Sequence, residues 1–350
     1  MGKRIGYIDQ IKGLAIFLVV LAHVMAFTYQ NWEIALQHKS LAPMLWWRII
    51  YSFHMPLFFC VSGYLCSINK GYAIFIKKRI RSLIIPFISF FFLEEILINH
   101  QTLGGGPWFL KTLFIFLMLY AISHFLLKLA KFYNSLLLIF IMLVLFLAIR
   151  KGIYYINSEV LNDIIDIHHF SYFNYTGFIL GISLKEFKNI YEKLNKEMAF
   201  TFFFILYFVL FLLKHQWNIS YNWDFIFIES SAIMAIWLFF DLRESKQVTN
   251  NISSKLTIII NQCVELLGRY SLHIYLLHLY FRIRIIEFGN YLLSLADKND
   301  YSLSITLCTL QFVYTIIVTT IIIALCFLTI RFVEHSKYLN YILFGKFNSI

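Results

Sequence analysis

The chain has 350 residues, 60% of them hydrophobic and 14% charged, with a mean hydropathy of +0.72. Soluble domains carry roughly 45–50% apolar and about 25% charged residues, so composition excludes a soluble globular or a disordered chain and indicates one whose solvent is lipid. The formal net charge of +11 would need a basic face on a soluble fold to signify nucleic acid; in a membrane protein basic excess sets orientation instead, and no nucleic-acid partner is expected.

A helix needs about 20 apolar residues to cross the hydrocarbon core. Ten segments qualify as candidates: 13–30, 45–67, 82–99, 108–127, 135–149, 170–184, 199–213, 222–240, 266–287 and 305–330. Runs such as Leu136 to Leu147 and Ile316 to Ile330 are apolar on all sides, which fits helices and not the alternating strands of a barrel. With the N-terminus inside, 21 of the 30 basic residues fall on the cytoplasmic side, the bias that the positive-inside rule demands. The expected fold is therefore an all-α polytopic membrane protein of about ten transmembrane helices, both termini cytoplasmic, forming one domain over residues 1–350. The longest polar connection, Asp241 to Cys263, is too short for a core of its own, and no cleavable signal peptide is expected. Cys60, Cys66, Cys263, Cys308 and Cys326 form no Cys-x-x-Cys pair and read as small apolar side chains, not as a disulfide framework or zinc ribbon.

Polar residues inside these segments are costly in lipid and are functional candidates by default. In the first segment Lys12 and His23 are eleven residues apart, which leaves them about 20° from one helical face and about 16 Å apart along the axis. Asp9 lies one turn before Lys12, suited to an ion pair. The second segment carries His54 and Ser62 near one face, with Pro56 breaking a backbone bond between them. Lys77 to Pro86 (KKRIRSLIIP) is a basic entry to the third segment; beyond its topological use, Lys78, Arg79 and Arg81 are suited to phosphates. Gly104 to Phe114 (GGGPWFLKTLF) lacks the Lys-Ser/Thr ending of a nucleotide loop; Trp108 within it is either an interfacial anchor or a sugar-stacking platform. In the ninth segment Ser271, Tyr275 and His278 follow i, i+4, i+7 spacing and share a stripe. For each of these residues ordinary interhelical packing is the structural alternative.

Taken together, and in this order, these segments resemble the acyltransferase type 3 family, integral-membrane proteins that include glycan O-acetyltransferases. The resemblance rests on IDQIKGLAIFLVVLAH ending at His23, on Phe53 to Leu65 (FHMPLFFCVSGYL), on the basic entry followed by LIIP, on PWFLKTLF, on LGRYSLHIYLLH and on Arg331 to Lys346. Three departures stand out: Lys12 where the family often has Arg, a shifted basic pair in which Lys78 and Arg81 hold the Arg-x-x-Arg spacing, and His335 where a Pro commonly follows the late Glu334. The resemblance implies transfer of an acyl group, usually acetyl from acetyl-CoA as co-substrate, to a hydroxyl of a cell-surface glycan or its precursor. No tightly bound cofactor and no metal are expected.

On that reading His23 acts as base or transient acyl carrier, with Lys12 as a further catalytic residue that Asp9 orients. Lys78, Arg79 and Arg81 bind the donor, and His54, Ser62, Trp108, Ser271, Tyr275 and His278 hold the acceptor or an oxyanion. Expected partners are acetyl-CoA, a glycan or other hydroxyl acceptor, membrane lipid and, as an allowed arrangement, a second copy of the chain; the expected location is a bacterial-type cytoplasmic membrane. Two other classes fit the polar stripes: a transporter or flippase for a small polar solute, and a metal enzyme built on His23, His54 and His278, for which no local ligand motif exists.

Overall fold

The computed structural model describes residues 6–28, 42–98, 107–156, 169–215, 224–250, 255–281, 283, 285–298 and 305–346. Every regular element among them is helical. Six helices are long and apolar enough to cross a membrane: α1 (Gly6–Phe27), α6 (Trp108–Leu129), α7 (Ser135–Ile156), α10 (Lys196–His215), α11 (Asp224–Asn250) and α15 (Ile305–Glu334). They correspond to the first, fourth, fifth, seventh, eighth and tenth predicted segments. A stretch of α10 is only 11% buried within the protein and one of α7 only 22%. Both are apolar around their circumference, so lipid is their natural solvent.

The other four predicted segments are helical but shorter or interrupted, so six of the expected ten or so spans are matched by one long apolar helix. The second is α2 (Ala42–Tyr51) and α3 (His54–Tyr64), separated at Ser52 and Phe53. Pro56 explains the break: it has no N–H to give to the Ser52 carbonyl, and it sits in the first turn of α3, where missing donors are tolerated. The third enters through α4 (Tyr72–Arg79), passes a π turn (Ile80–Ile84) and continues as α5 (Ile85–Ile98). Pro86 again removes a bond to residue 82, and the widened turn absorbs the clash. The sixth is α8 (Tyr172–Glu186), 15 residues long, followed by the short α9 (Lys188–Glu192).

The ninth segment comprises the end of α12 (Lys255–Arg269), α13 (Ser271–Leu277) and a 3₁₀ turn (His278–Phe281). Tyr270, with ψ 10°, leaves helical geometry between α12 and α13. Helix α12 occupies part of the expected polar connection and is amphipathic. Helices α14 (Ile286–Lys298) and α16 (Lys337–Phe344) complete the chain. The glycine triplet Gly104–Gly106 lies outside the described residues.

Two compact units emerge, Met1–Met55 with Ile236–Arg331, and Pro56–Ala235 with Phe332–Ile350. In the first unit α1 packs along α12 at backbone contact. A Cβ on Gly13 would stand 1.9 Å from the Val264 carbonyl oxygen, and one on Gly268 1.8 Å from that of Asp9. Small residues permit such approach where no hydrophobic force drives helices together. In the second unit α3 and α8 cross in the same way. A Cβ on Gly63 would meet the Phe178 carbonyl oxygen at 2.3 Å, one on Gly177 that of Pro56 at 2.4 Å, and one on Gly181 that of Cys60 at 1.9 Å. Helix α16 packs on α5: Ser89 donates to the Ile342 carbonyl at 2.6 Å and Phe90 stacks on Phe344. Gly345, at φ 63°, closes α16 in the left-handed conformation with its Cα against the Arg81 carbonyl.

Substituting Val at Gly13 or Gly268 is therefore expected to drive α1 off α12 and lower the thermal midpoint of the detergent-solubilised protein sharply. Gly152→Ala, where no atom lies within 4 Å of the new methyl, should leave the midpoint unchanged or raise it, since Ala gains about 1 kcal/mol over Gly inside a helix.

Candidate active site

Helix α1 begins seven residues before the predicted segment, so Asp9, Lys12 and His23 all project from one helix. Asp9 is buried and its carboxylate lies 2.7 Å from Lys12 Nζ. The same end of α1 is tied to α12: Gln10 donates to Glu265 Oε1 at 3.0 Å, and Glu265 also pairs with Arg269 at 3.7 Å. This polar belt lies about 16 Å of helical rise from His23, too far for Lys12 and His23 to act on one atom.

His23 meets His278 instead. Their ring centroids are 5.0 Å apart, and His278 Nε2 lies 3.2 Å from His23 Nδ1. The surrounding carbonyls fix the tautomers. His278 Nδ1 lies 2.8 Å from the Tyr275 carbonyl oxygen and 3.1 Å from that of Ile274, so Nδ1 carries the proton and donates. His278 Nε2 is then a lone pair facing His23. His23 Nδ1 also lies 3.0 Å from the Val19 carbonyl oxygen, and with two acceptors beside it, it too is the protonated nitrogen. In the neutral ring the lone pair of His23 is therefore on Nε2. His23 packs on Phe27 and keeps part of its surface accessible, whereas His278 and His54 are each 3% exposed. His23 is the most accessible of the three rings.

His54 repeats the pattern, with Nδ1 at 2.8 Å from the Ile50 carbonyl oxygen and the Tyr51 ring edge-on at 4.7 Å. Tyr275 lies beside His278 with ring centroids 6.1 Å apart. Ser271 opens α13, two turns before His278. Among the described residues, no three His, Cys, Asp or Glu side chains gather in metal-holding geometry.

The remaining predicted residues belong to the second unit. Trp108 stacks on His169 at 3.9 Å, so that face of its ring is covered; Ser62 lies on α3. Of the basic group, Lys78 and Arg81 are exposed while Arg79 is half-buried, its guanidinium over the Phe75 ring at 5.0 Å. The π turn begins directly after Arg79, at Ile80. Burial pulls the Arg79 guanidinium below its ordinary value, as expected of a desolvated cation. Around it, at one end of the unit, lies a polar cluster that sequence reading missed. Lys185 donates to the Cys66 carbonyl at 2.7 Å, Tyr72 hydrogen-bonds His124 at 2.8 Å, and Glu186 accepts from Tyr133 at 2.8 Å and from Ser135 at 2.9 Å. Burial and the bond to Glu186 push the Tyr133 phenol up.

Glu229, on α11, was also missed. It is 0% exposed, lies beside Cys60 and the Gly177 peptide, and neither carboxyl oxygen has a hydrogen-bond partner of good geometry among the described residues. The signal was present as a carboxylate within an apolar run, IFIESSAIM.

A helical membrane protein with a carbonyl-oriented histidine pair and a cationic cluster at one end is the class these features define. A family profile described as an acyltransferase domain, that of the type 3 acyltransferases, matches residues 5–94 and 99–331. The chain belongs to that family. Nodulation protein NolL of Sinorhizobium fredii is 36% identical over 84 residues, a stretch that is 23% of this chain and 21% of that protein. No solved structure matches the chain.

A buried polar group without a partner costs about 1–3 kcal/mol. Glu229→Met, which keeps the length and removes both oxygens, is expected to raise the thermal midpoint by a few degrees. A fall would show that the carboxyl is a net stabiliser.

Proposed function

We propose that the protein is an O-acetyltransferase of a bacterial-type cytoplasmic membrane, moving acetyl from acetyl-CoA to a hydroxyl of a cell-surface glycan or its precursor. The observation that carries this reading is the placement of His23 Nδ1 against two acceptors. With Nδ1–H shared between the Val19 carbonyl and His278 Nε2, the basic nitrogen Nε2 belongs to the one partly accessible ring of the three.

In the proposed step the acceptor O–H gives its proton to His23 Nε2 as its oxygen attacks the thioester carbonyl. A C–O bond forms, the tetrahedral intermediate collapses with loss of the C–S bond, and the thiolate recovers the proton from His23. The imidazolium formed in between keeps its second proton on Nδ1, where two acceptors stabilise the new charge. His278 thus positions His23 and supports its charge, a role usually filled by a carboxylate. The same nitrogen would serve an acyl-histidine route, in which Nε2 attacks the thioester first.

His54, if neutral, also presents a lone pair at Nε2, which suits it to accept from the acceptor hydroxyl and not to donate to an oxyanion. Tyr275, Ser271, Ser62 and Trp108 are candidate acceptor contacts. Lys78, Arg79 and Arg81 take the anionic end of the donor; Lys12, held by Asp9, is a separate candidate in the first unit.

His23→Ala is expected to reduce acetyl transfer from labelled acetyl-CoA by about 10²–10⁴-fold with membrane insertion intact; turnover near normal would remove the assignment. His278→Ala should lower kcat by a smaller factor, about tenfold, with KM for acetyl-CoA unchanged. Solute flux without thioester cleavage by the purified protein would favour transport.

A further inference from the structure

Arg79 is a cation short of a counter-charge. Its Nε is buried without a hydrogen-bond partner, and its ring contact is the Phe75 face; no carboxylate pairs with it among the described residues. Lys185 and Arg79 both lie close enough to Cys66 to act on it electrostatically. Lys185 Nζ reaches the Cys66 carbonyl at 2.7 Å, the Tyr120 hydroxyl at 3.5 Å and Glu186 at 3.5 Å, and it lies 5.6 Å from the Tyr120 ring centre.

Glu186 is the acid of the cluster, and it is shared among Lys185, Tyr133 and Ser135. Lys128 adds another cation over the Tyr72 ring at 5.8 Å, and Lys77, Lys78 and Arg81, all exposed, flank Arg79 in the sequence. The balance is positive, with the phenol hydroxyl of Tyr120, which accepts from Lys185, as an additional donor. Packed cations without matching carboxylates are a poor way to stabilise a fold and a good way to hold a multiply charged anion, since charge-assisted hydrogen bonds are about twice as strong as neutral ones.

We propose that Lys185 and Tyr120, from α8 and α6, complete with Arg79 a seat for the phosphate groups of the acyl donor. The proposal rests on the reading of the donor as a coenzyme A thioester, and it adds two helices to a site that the sequence confined to the third segment. Arg79 supplies a planar fork for two phosphate oxygens. Lys185 supplies a point charge held in place by the Cys66 carbonyl, and Tyr120 supplies a neutral donor.

The test uses full-length protein in detergent and measures binding of coenzyme A and of pantetheine, which lacks every phosphate. Arg79→Gln and Lys185→Met are each expected to weaken coenzyme A binding about tenfold or more, to steepen the loss with added salt less than wild type does, and to leave pantetheine binding unchanged. Lys185→Arg should recover most of the loss. Because Lys185 also holds the end of α3, Lys185→Met carries a risk to folding, whereas Arg79 bonds no described side chain and Arg79→Gln tests the seat without it. Coenzyme A affinity undiminished in Arg79→Gln and Lys185→Met, with wild type binding normally, overturns the seat and leaves the donor reading standing. Wild type that transfers an acyl group yet shows no coenzyme A affinity overturns the donor reading, and the seat with it.

Discussion

The first unit depends on α1 touching α12 backbone to backbone. At Gly13 and Gly268 no side chain intervenes, and the Val264 and Asp9 carbonyls occupy the space a Cβ would need. In lipid, apolar side chains gain nothing by leaving one another for the acyl chains, so contact area and polar pairing decide how helices associate. A crossing this close fixes the height of α1 against α12, and α12 runs through Tyr270 into α13, which carries His278. The pairing of His23 with His278 at 3.2 Å is thus the far end of a register set at two glycines. The Gln10 bond to Glu265 pins the near end of the same crossing.

The histidines share a local device. His23, His54 and His278 each place Nδ1 against the carbonyl four residues earlier in their own chain: Val19, Ile50 and Ile274. That carbonyl already serves the helix ladder, and its second lone pair is the nearest acceptor in a region without water. The consequence is chemical: a histidine restrained in this way has one tautomer, and its reactive nitrogen is the one directed away from its own backbone. The helix does for His23 Nδ1 what a separate orienting residue does in many hydrolases, with His278 added as a second acceptor.

Much of this was legible in the sequence because lipid leaves few alternatives. Apolar runs located the long helices, and the eleven-residue spacing placed Lys12 and His23 on one face of α1. The same spacing put them about 16 Å apart along the axis, but it could not show what stands beside His23. The pairing of His23 with His278, 255 residues away, depends on a helix crossing that no local pattern encodes. Lys185 and Glu186 read as loop charges at the end of a span, because a charge near a membrane edge satisfies topology whether or not it also binds something. Glu229 was readable as a lone acid in an apolar run, but its surroundings, Cys60 and Gly177, come from the α3–α8 crossing.

Three of the four segments that do not form one long helix carry a candidate site residue at the break. His54 is the first residue of α3, just past the break that Pro56 enforces. His278 ends α13 at the 3₁₀ turn, and Arg79 ends α4 at the π turn before Pro86. An unbroken helix offers a side chain a position every 100° and 1.5 Å and nothing between; a break, a tightened turn or a widened one re-aims the next residue. Backbone irregularity at membrane depth is tolerated only where protein or a polar cavity satisfies the groups it frees, so such sites are costly to lipid-facing helices and available to packed ones. The uninterrupted α7 and α10, mostly exposed and without internal charge through their apolar stretches, are the helices with no such demand placed on them.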